Sequence, residues 1–105
     1  MIYRIRLHPA VSDDLAAIAR LISDYAGPAS AGRKLAEIEN VIASLQGTPH
    51  KGSLRNEIAL GLRAIPAGRK GVVVFTVDDD RREVLIHAIG YAGQDWMTRS
   101  MARTW

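Results

Sequence analysis

The chain reads as an α+β fold of order β-α-α-β-β-β, in which a helical hairpin packs on a small, mainly antiparallel sheet. Three observations predict it. Two runs of apolar residues recur at helical spacing in the first half, the pair Gly27-Pro28 separates them, and residues 61–91 break into three β-rich segments at the turn signals Ala67-Gly68-Arg69 and Asp78-Asp79-Asp80.

Tyr3, Ile5 and Leu7 alternate with Arg4, Arg6 and His8, which predicts a first strand with one apolar face. His8-Pro9 ends it. Pro9 suits the opening of a helix, where its missing N–H is one that goes unpaired in any case, and Asp13 and Asp14 fall near the positive end of that helix's dipole. Val11, Leu15, Ile18, Ile22 and Tyr25 then form a continuous helical stripe, which Gly27-Pro28 stops. A second helix runs from about Ala29 to Gln46 on the stripe Leu35, Ile38, Ile42 and Leu45, widened by Val41. So short a link folds the two helices back on each other, with both stripes facing the sheet.

Residues 47–57 are rich in turn formers and read as the one long loop. Beyond it, Leu62 and Ala64 oppose Arg63 and Ile65, and Pro66, which cannot donate a ladder hydrogen bond, pushes this segment's end towards an edge. Val73, Phe75 and Val77 point one way and Val72 and Val74 the other, so the middle segment is apolar on both faces and is expected to be central. In the last segment Val84, Ile86 and Ala88 alternate with Leu85, His87 and Ile89. Residues 93–105 form a C-terminal tail in which Met97, Met101 and Trp105 recur every four residues, the spacing of a short helix whose apolar side needs cover.

At 105 residues the chain is one domain, and its 48% hydrophobic and 24% charged content is that of a folded protein. Without cysteine there is neither a disulfide frame nor a zinc–thiolate site. His8, His50 and His87 lack ligand spacing, so no metal is expected. Gly68-Arg69-Lys70-Gly71 lacks the spacing of a phosphate-binding Walker loop and is accounted for as a β-turn, so no cofactor is expected either. The charged start of the chain and the absence of a long apolar segment point to the cytoplasm rather than to export or a membrane. Fourteen Lys or Arg against eleven Asp or Glu give a net charge of +3, a mild excess spread along the chain that marks no dense RNA-binding surface.

The order of elements, with Leu7-His8-Pro9-Ala10, Asp14-Leu15 and Ile18 at the strand-to-helix entry, Gly61-Leu62-Arg63-Ala64-Ile65-Pro66 with Gly68-Arg69, and the last hairpin through Val72–Val77, Asp78-Asp79-Asp80 and Val84–Ile89, resembles the RelE/ParE superfamily of toxins from type II toxin–antitoxin modules, and more closely its ParE side. The resemblance runs from Tyr3 to Trp96. It implies a toxin neutralised by a cognate antitoxin, ParD-like and often with a ribbon-helix-helix DNA-binding half. The action implied is inhibition of DNA gyrase; the alternatives are a ribosome-dependent mRNA endonuclease of the RelE kind, or an inactive relative that only binds its antitoxin. Where family members commonly carry a His and an Arg shortly before the final Asp, this chain has Tyr91 and Gln94 ahead of Asp95, a departure that puts in doubt any terminal acid or base borrowed from the family.

Ribonuclease chemistry would need cations to stabilise a phosphorane and a proton-transfer group near the ribose 2′-oxygen. The candidates are Arg63 and Lys51 as cations and Tyr91 as acid, with Arg55 in the long loop and His87 near the last strand in support. Each has a plainer reading: a solvated or ion-paired strand residue for Arg63, a solvated loop for Lys51 and Arg55, and a packing residue for Tyr91, since an unperturbed phenol titrates near pH ~10. For the target or antitoxin surface the candidates are Arg63, Arg69, Trp96, Met97, Met101 and Trp105. Trp is enriched at binding hot spots, and the alternative for the tail is that it folds back over its own sheet.

Overall fold

The computed structural model describes residues 2–93 and 95–103. Strands β1 (Arg4–Leu7), β2 (Ser53–Leu54), β3 (Arg63–Ala67), β4 (Gly71–Asp78) and β5 (Glu83–Tyr91) form one sheet in the order β1-β5-β4-β3-β2. Helices α1 (Val11–Ala26) and α2 (Pro28–Ser44) cover one face, and a third helix, α3 (Trp96–Ala102), lies against the other. β1 runs parallel to β5; every other pair is antiparallel. The predicted α+β architecture is the one observed. No helix among the described residues is long and apolar enough to cross a membrane.

The two helical stripes are core. Val11, Ile18 and Ile22 of α1 and Ala31 and Ile38 of α2 are buried against Val73, Phe75, Val84 and Ile86, with Leu15, Leu35, Val41 and Ile42 packed around them. Complete burial of one such aliphatic side chain contributes about 1.5–3 kcal/mol, so this layer is the main source of stability. Tyr25, the last stripe position, is the exception and is exposed. Gly27, at a φ of 88°, both ends α1 and precedes Pro28 at the start of α2, as the Gly-Pro signal requires.

Three details differ from the sequence reading. Pro9 and Ala10 form a turn ahead of α1, so the helix begins at Val11. The long loop contributes β2, two residues paired with Arg63 and Ala64 of β3, which leaves Pro66 on the part of β3 that has no outer neighbour. The third concerns β5. Val74 pairs with Ala88 but the next residue, Phe75, pairs with Ile86, so His87 is an extra residue and its strand bulges there. The bulge reverses the alternation: Val84 and Ile86 face the helices, Ala88 joins Leu62 and Val74 on the second face, and Ile89 and Tyr91 return to the helical side.

Candidate functional site

The bulge lies where β5 loses its neighbour. β1 accompanies β5 only as far as Ile86, whose carbonyl accepts the His8 N–H, and beyond that point the outer edge of β5 has no strand beside it among the described residues. An uncovered edge presents unpaired backbone groups. Here charged side chains satisfy them. Asp14, buried on the inner side of α1, accepts the Ile89 N–H at 3.0 Å, while Arg103, just beyond α3, donates to the His87 carbonyl at 2.8 Å. Arg103 also grips the Asp14 carboxylate with two bonds of 2.7 Å, and Arg99 adds a third of 2.9 Å. Burial alone would push the Asp14 carboxyl up; the hydrogen bonds from Arg103 and Ile89 and the two guanidinium charges outweigh it and hold the group below the usual carboxylate range.

This clasp seats α3 on the second face of the sheet. Trp96 packs on the cluster of Leu62, Val74 and Ala88, and the Arg55 guanidinium lies 5.3 Å from its ring centroid. A Cβ on Gly90 would stand 2.9 Å from the Cβ of Trp96, so the tryptophan's approach requires glycine there. Ser100, one turn on, is buried and donates to the Trp96 carbonyl at 2.7 Å. Met97 and Met101 point outward, 43% and 65% exposed. The helix therefore buries Trp96 and Ser100 rather than the methionine stripe: it folds back on its own sheet and leaves both methionines in solvent. Trp105 lies outside the described residues, as does Gln94.

Between α3 and the 58–62 segment is a cleft of about 300 Å³, with Thr76 and His87 among its lining residues and the exposed Leu60 and Met101 on its rim. Thr76 Oγ1 and His87 Nε2 are 2.9 Å apart. Burial, reinforced by the nearby charges of His8 and Arg103, lowers the His87 pKa to about 4, so the imidazole is neutral at physiological pH.

The three nuclease candidates are not brought together. Arg63 faces the helical side, where its Nη1 donates to the His50 carbonyl at 3.0 Å and reaches the Lys51 carbonyl at 3.5 Å, tying the 47–52 loop to β3. The same corner is tied from Asp79, which accepts the Tyr3 hydroxyl at 2.6 Å and contacts His50 Nε2 at 2.9 Å. The Tyr3 bond, with His50 and Arg63 nearby, lowers the Asp79 carboxyl pKa. Lys51 itself is exposed. Tyr91 sits at the far end of the sheet, beside Gly71, and is buried beneath the helical hairpin. Burial and a hydrogen bond to Tyr25 push its phenol up, further from any role as a neutral-pH acid. Arg69 lies at the tip of the β3–β4 turn, exposed, on a different side of the molecule from α3.

A fourth feature was not singled out from sequence. An apolar groove of about 380 Å³ runs beside the free edge of β1, lined chiefly by Ile5, Leu7, Val11, Leu15 and Ile42, with Leu7 53% exposed.

Residues 5–96 match the family described as the ParE toxin of the type II toxin–antitoxin system parDE. The chain belongs to the ParE toxin family. It is thus a toxin of a type II toxin–antitoxin system, within the RelE/ParE superfamily. A sequence search of curated proteins gives no match. Among solved structures, this ParE-family chain is similar to the chromosomal ParDE system of P. aeruginosa, at 22% identity and a TM-score of 0.73 over 87% of this chain and 97% of that one. It is also similar to the toxin–antitoxin complex RelBE2 of Mycobacterium tuberculosis, at 18% identity and a TM-score of 0.61 over 88% and 100% of the two chains. A mutant of the E. coli toxin RelE in the free state aligns at 12% identity and a TM-score of 0.65 over 96% and 95%. At these identities the likeness is one of fold.

The clasp was the main omission of the sequence reading, although a signal for it existed. Asp14 stands three residues after Val11 and four before Ile18, inside the apolar stripe, where an acid must find a buried partner; Arg99 and Arg103, one helical turn apart, are that partner.

Proposed function

We propose that this ParE-family toxin acts in the cytoplasm by binding rather than by breaking bonds, with DNA gyrase as its target and a ParD-like antitoxin, carrying a ribbon-helix-helix DNA-binding half, as its inhibitor. One observation carries the preference over an mRNA endonuclease: Arg63 is engaged with loop carbonyls, while Tyr91, at the other end of the sheet, is buried with its phenol pushed up. A cation and an acid so placed do not converge on one scissile phosphate. The surface offered to gyrase is the α3 side, with Met97 exposed on the helix and Leu60 and Met101 exposed at the cleft. The antitoxin is assigned to the groove beside β1, whose apolar lining suits the apolar face of an amphipathic helix.

Induction of the chain without antitoxin tests the reading. Replication arrest with a DNA-damage response, reproduced as inhibition of supercoiling by purified gyrase, is the expected result. Immediate translation arrest with cleaved messages would instead establish the nuclease, and normal growth would establish an inactive relative. Leu7→Glu, at the groove, is expected to abolish rescue by the antitoxin in cells where Met101→Glu leaves rescue intact and reduces toxicity.

A further inference from the structure

The end of the helical hairpin and the β3–β4 turn enclose a second cleft, of about 370 Å³, within the range of small-molecule sites. Its lining includes the buried residues Tyr91 and Ala67. Lys34 reaches it from α2, and Arg69 and Lys70 from the turn. Little holds these cations in place. Arg69 has no hydrogen bond or ion pair among the described residues, Lys34 has only the Glu37 carboxylate at 3.9 Å, and Lys70 lies 6.0 Å from the Tyr25 ring centroid. The Ser30 hydroxyl, also at the cleft, likewise makes no hydrogen bond among the described residues. Glu37 is wedged against the turn: a Cβ on Gly68, which has a φ of 71°, would collide with its carboxylate. The turn lies against α2 at this point, and the cations it carries are presented to one concave space.

We propose that this cleft binds a small phosphate monoester dianion, clamped by Lys34, Arg69 and Lys70. Three cations facing one carboxylate leave two positive charges, which a phosphate dianion balances and a single carboxylate does not. The guanidinium supplies a planar fork for two phosphate oxygens, and Lys34, Lys70 and Ser30 supply further donors. A nucleic-acid strand would need cations spaced along a track; these three converge. The glycines of the turn do not cradle the phosphate as a Walker loop would: the side chains bind it, which is why the motif's spacing alone carried no signal.

Titration of the ¹⁵N-labelled protein with inorganic phosphate and with AMP, at constant ionic strength made up with chloride, tests the site. Saturable amide shifts confined to residues 30–37 and 67–71 are expected. Arg69→Ala should weaken binding at least about tenfold, the loss of one charge-assisted bond. Glu37→Gln should tighten it, because the opposing charge of the Glu37 carboxylate is gone. Tighter binding of AMP than of phosphate identifies a nucleotide ester as the ligand class; equal binding shows that the phosphate alone is recognised, and supports the site equally. Shifts that track ionic strength, that spread to the exposed Arg4 and Arg6, or that persist unchanged in Arg69→Ala and Lys34→Ala proteins with native spectra would overturn the proposal.

Discussion

Arg103 and Asp14, separated by 89 positions in sequence, meet through two hydrogen bonds of 2.7 Å, with 12% and 3% of their side chains exposed. This pair joins the segment just beyond α3 to α1, the first helix of the chain. Each partner also fills a backbone position left open on β5, so charge pairing and edge protection are achieved by the same atoms.

Removing one partner leaves the other charge poorly solvated. Asp14→Ala should cost about 3 kcal/mol in urea unfolding, and Arg103→Ala a similar amount. The double variant should lose clearly less than the sum, since the second substitution removes the charge stranded by the first.

Acid should weaken the fold through His87. Its folded pKa of about 4 lies below the value of 6.5 for an unperturbed histidine, so between those limits the unfolded chain binds more protons. The contribution is complete above pH 6.5 and is lost as pH falls towards 4, amounting to about 3 kcal/mol at most. His87→Gln keeps a partner for Thr76 without a titrating ring, and its unfolding free energy should fall less steeply across that window. Asp14 adds loss of the same sign at lower pH, as its depressed carboxyl begins to protonate.

Gly90→Ala should lift α3. The added methyl meets Trp96 at 2.9 Å and Val72 at 3.0 Å, and overpacking of this kind costs about 1–3 kcal/mol. Amide exchange should accelerate over residues 96–102 while the α1 and α2 amides keep their protection.

Arg63→Ala should free the 47–52 loop from β3. Exchange there should rise, yet global stability should drop by about 1 kcal/mol, because the lost bonds go to loop carbonyls outside the core. A fall in toxicity without a fall in stability would mark Arg63 as part of the target surface in addition.

The layers were legible because burial imposes a period. Ile18, Ile22 and Ile38 are core for the reason their spacing suggests, and β4 is interior because both its faces are apolar. The faces of β5 were not legible beyond Ile86, since nothing in Val84–Ile89 marks His87 as the extra residue of the bulge; the bulge is set by the meeting of β4, β1 and the clasp. Met97 and Met101 misled for a related reason. Their spacing is helical, but the side of α3 that turns inward was chosen by Trp96 over Gly90 and by Arg103 at Asp14. Arg63 was correctly set opposite Leu62, yet its neighbours came from a loop whose path sequence does not specify.

Vectorial synthesis gives the clasp a temporal meaning. At ~5–20 residues per second, Asp14 leaves the ribosome on the order of ten seconds before the arginine that neutralises it. Throughout that interval a carboxylate destined for the interior has no guanidinium to meet, and the far side of the sheet lacks its tryptophan. The nascent toxin is consequently unfinished on its α3 side until the polypeptide has passed Arg103, while the surface beside β1 is encoded by residues that have already emerged.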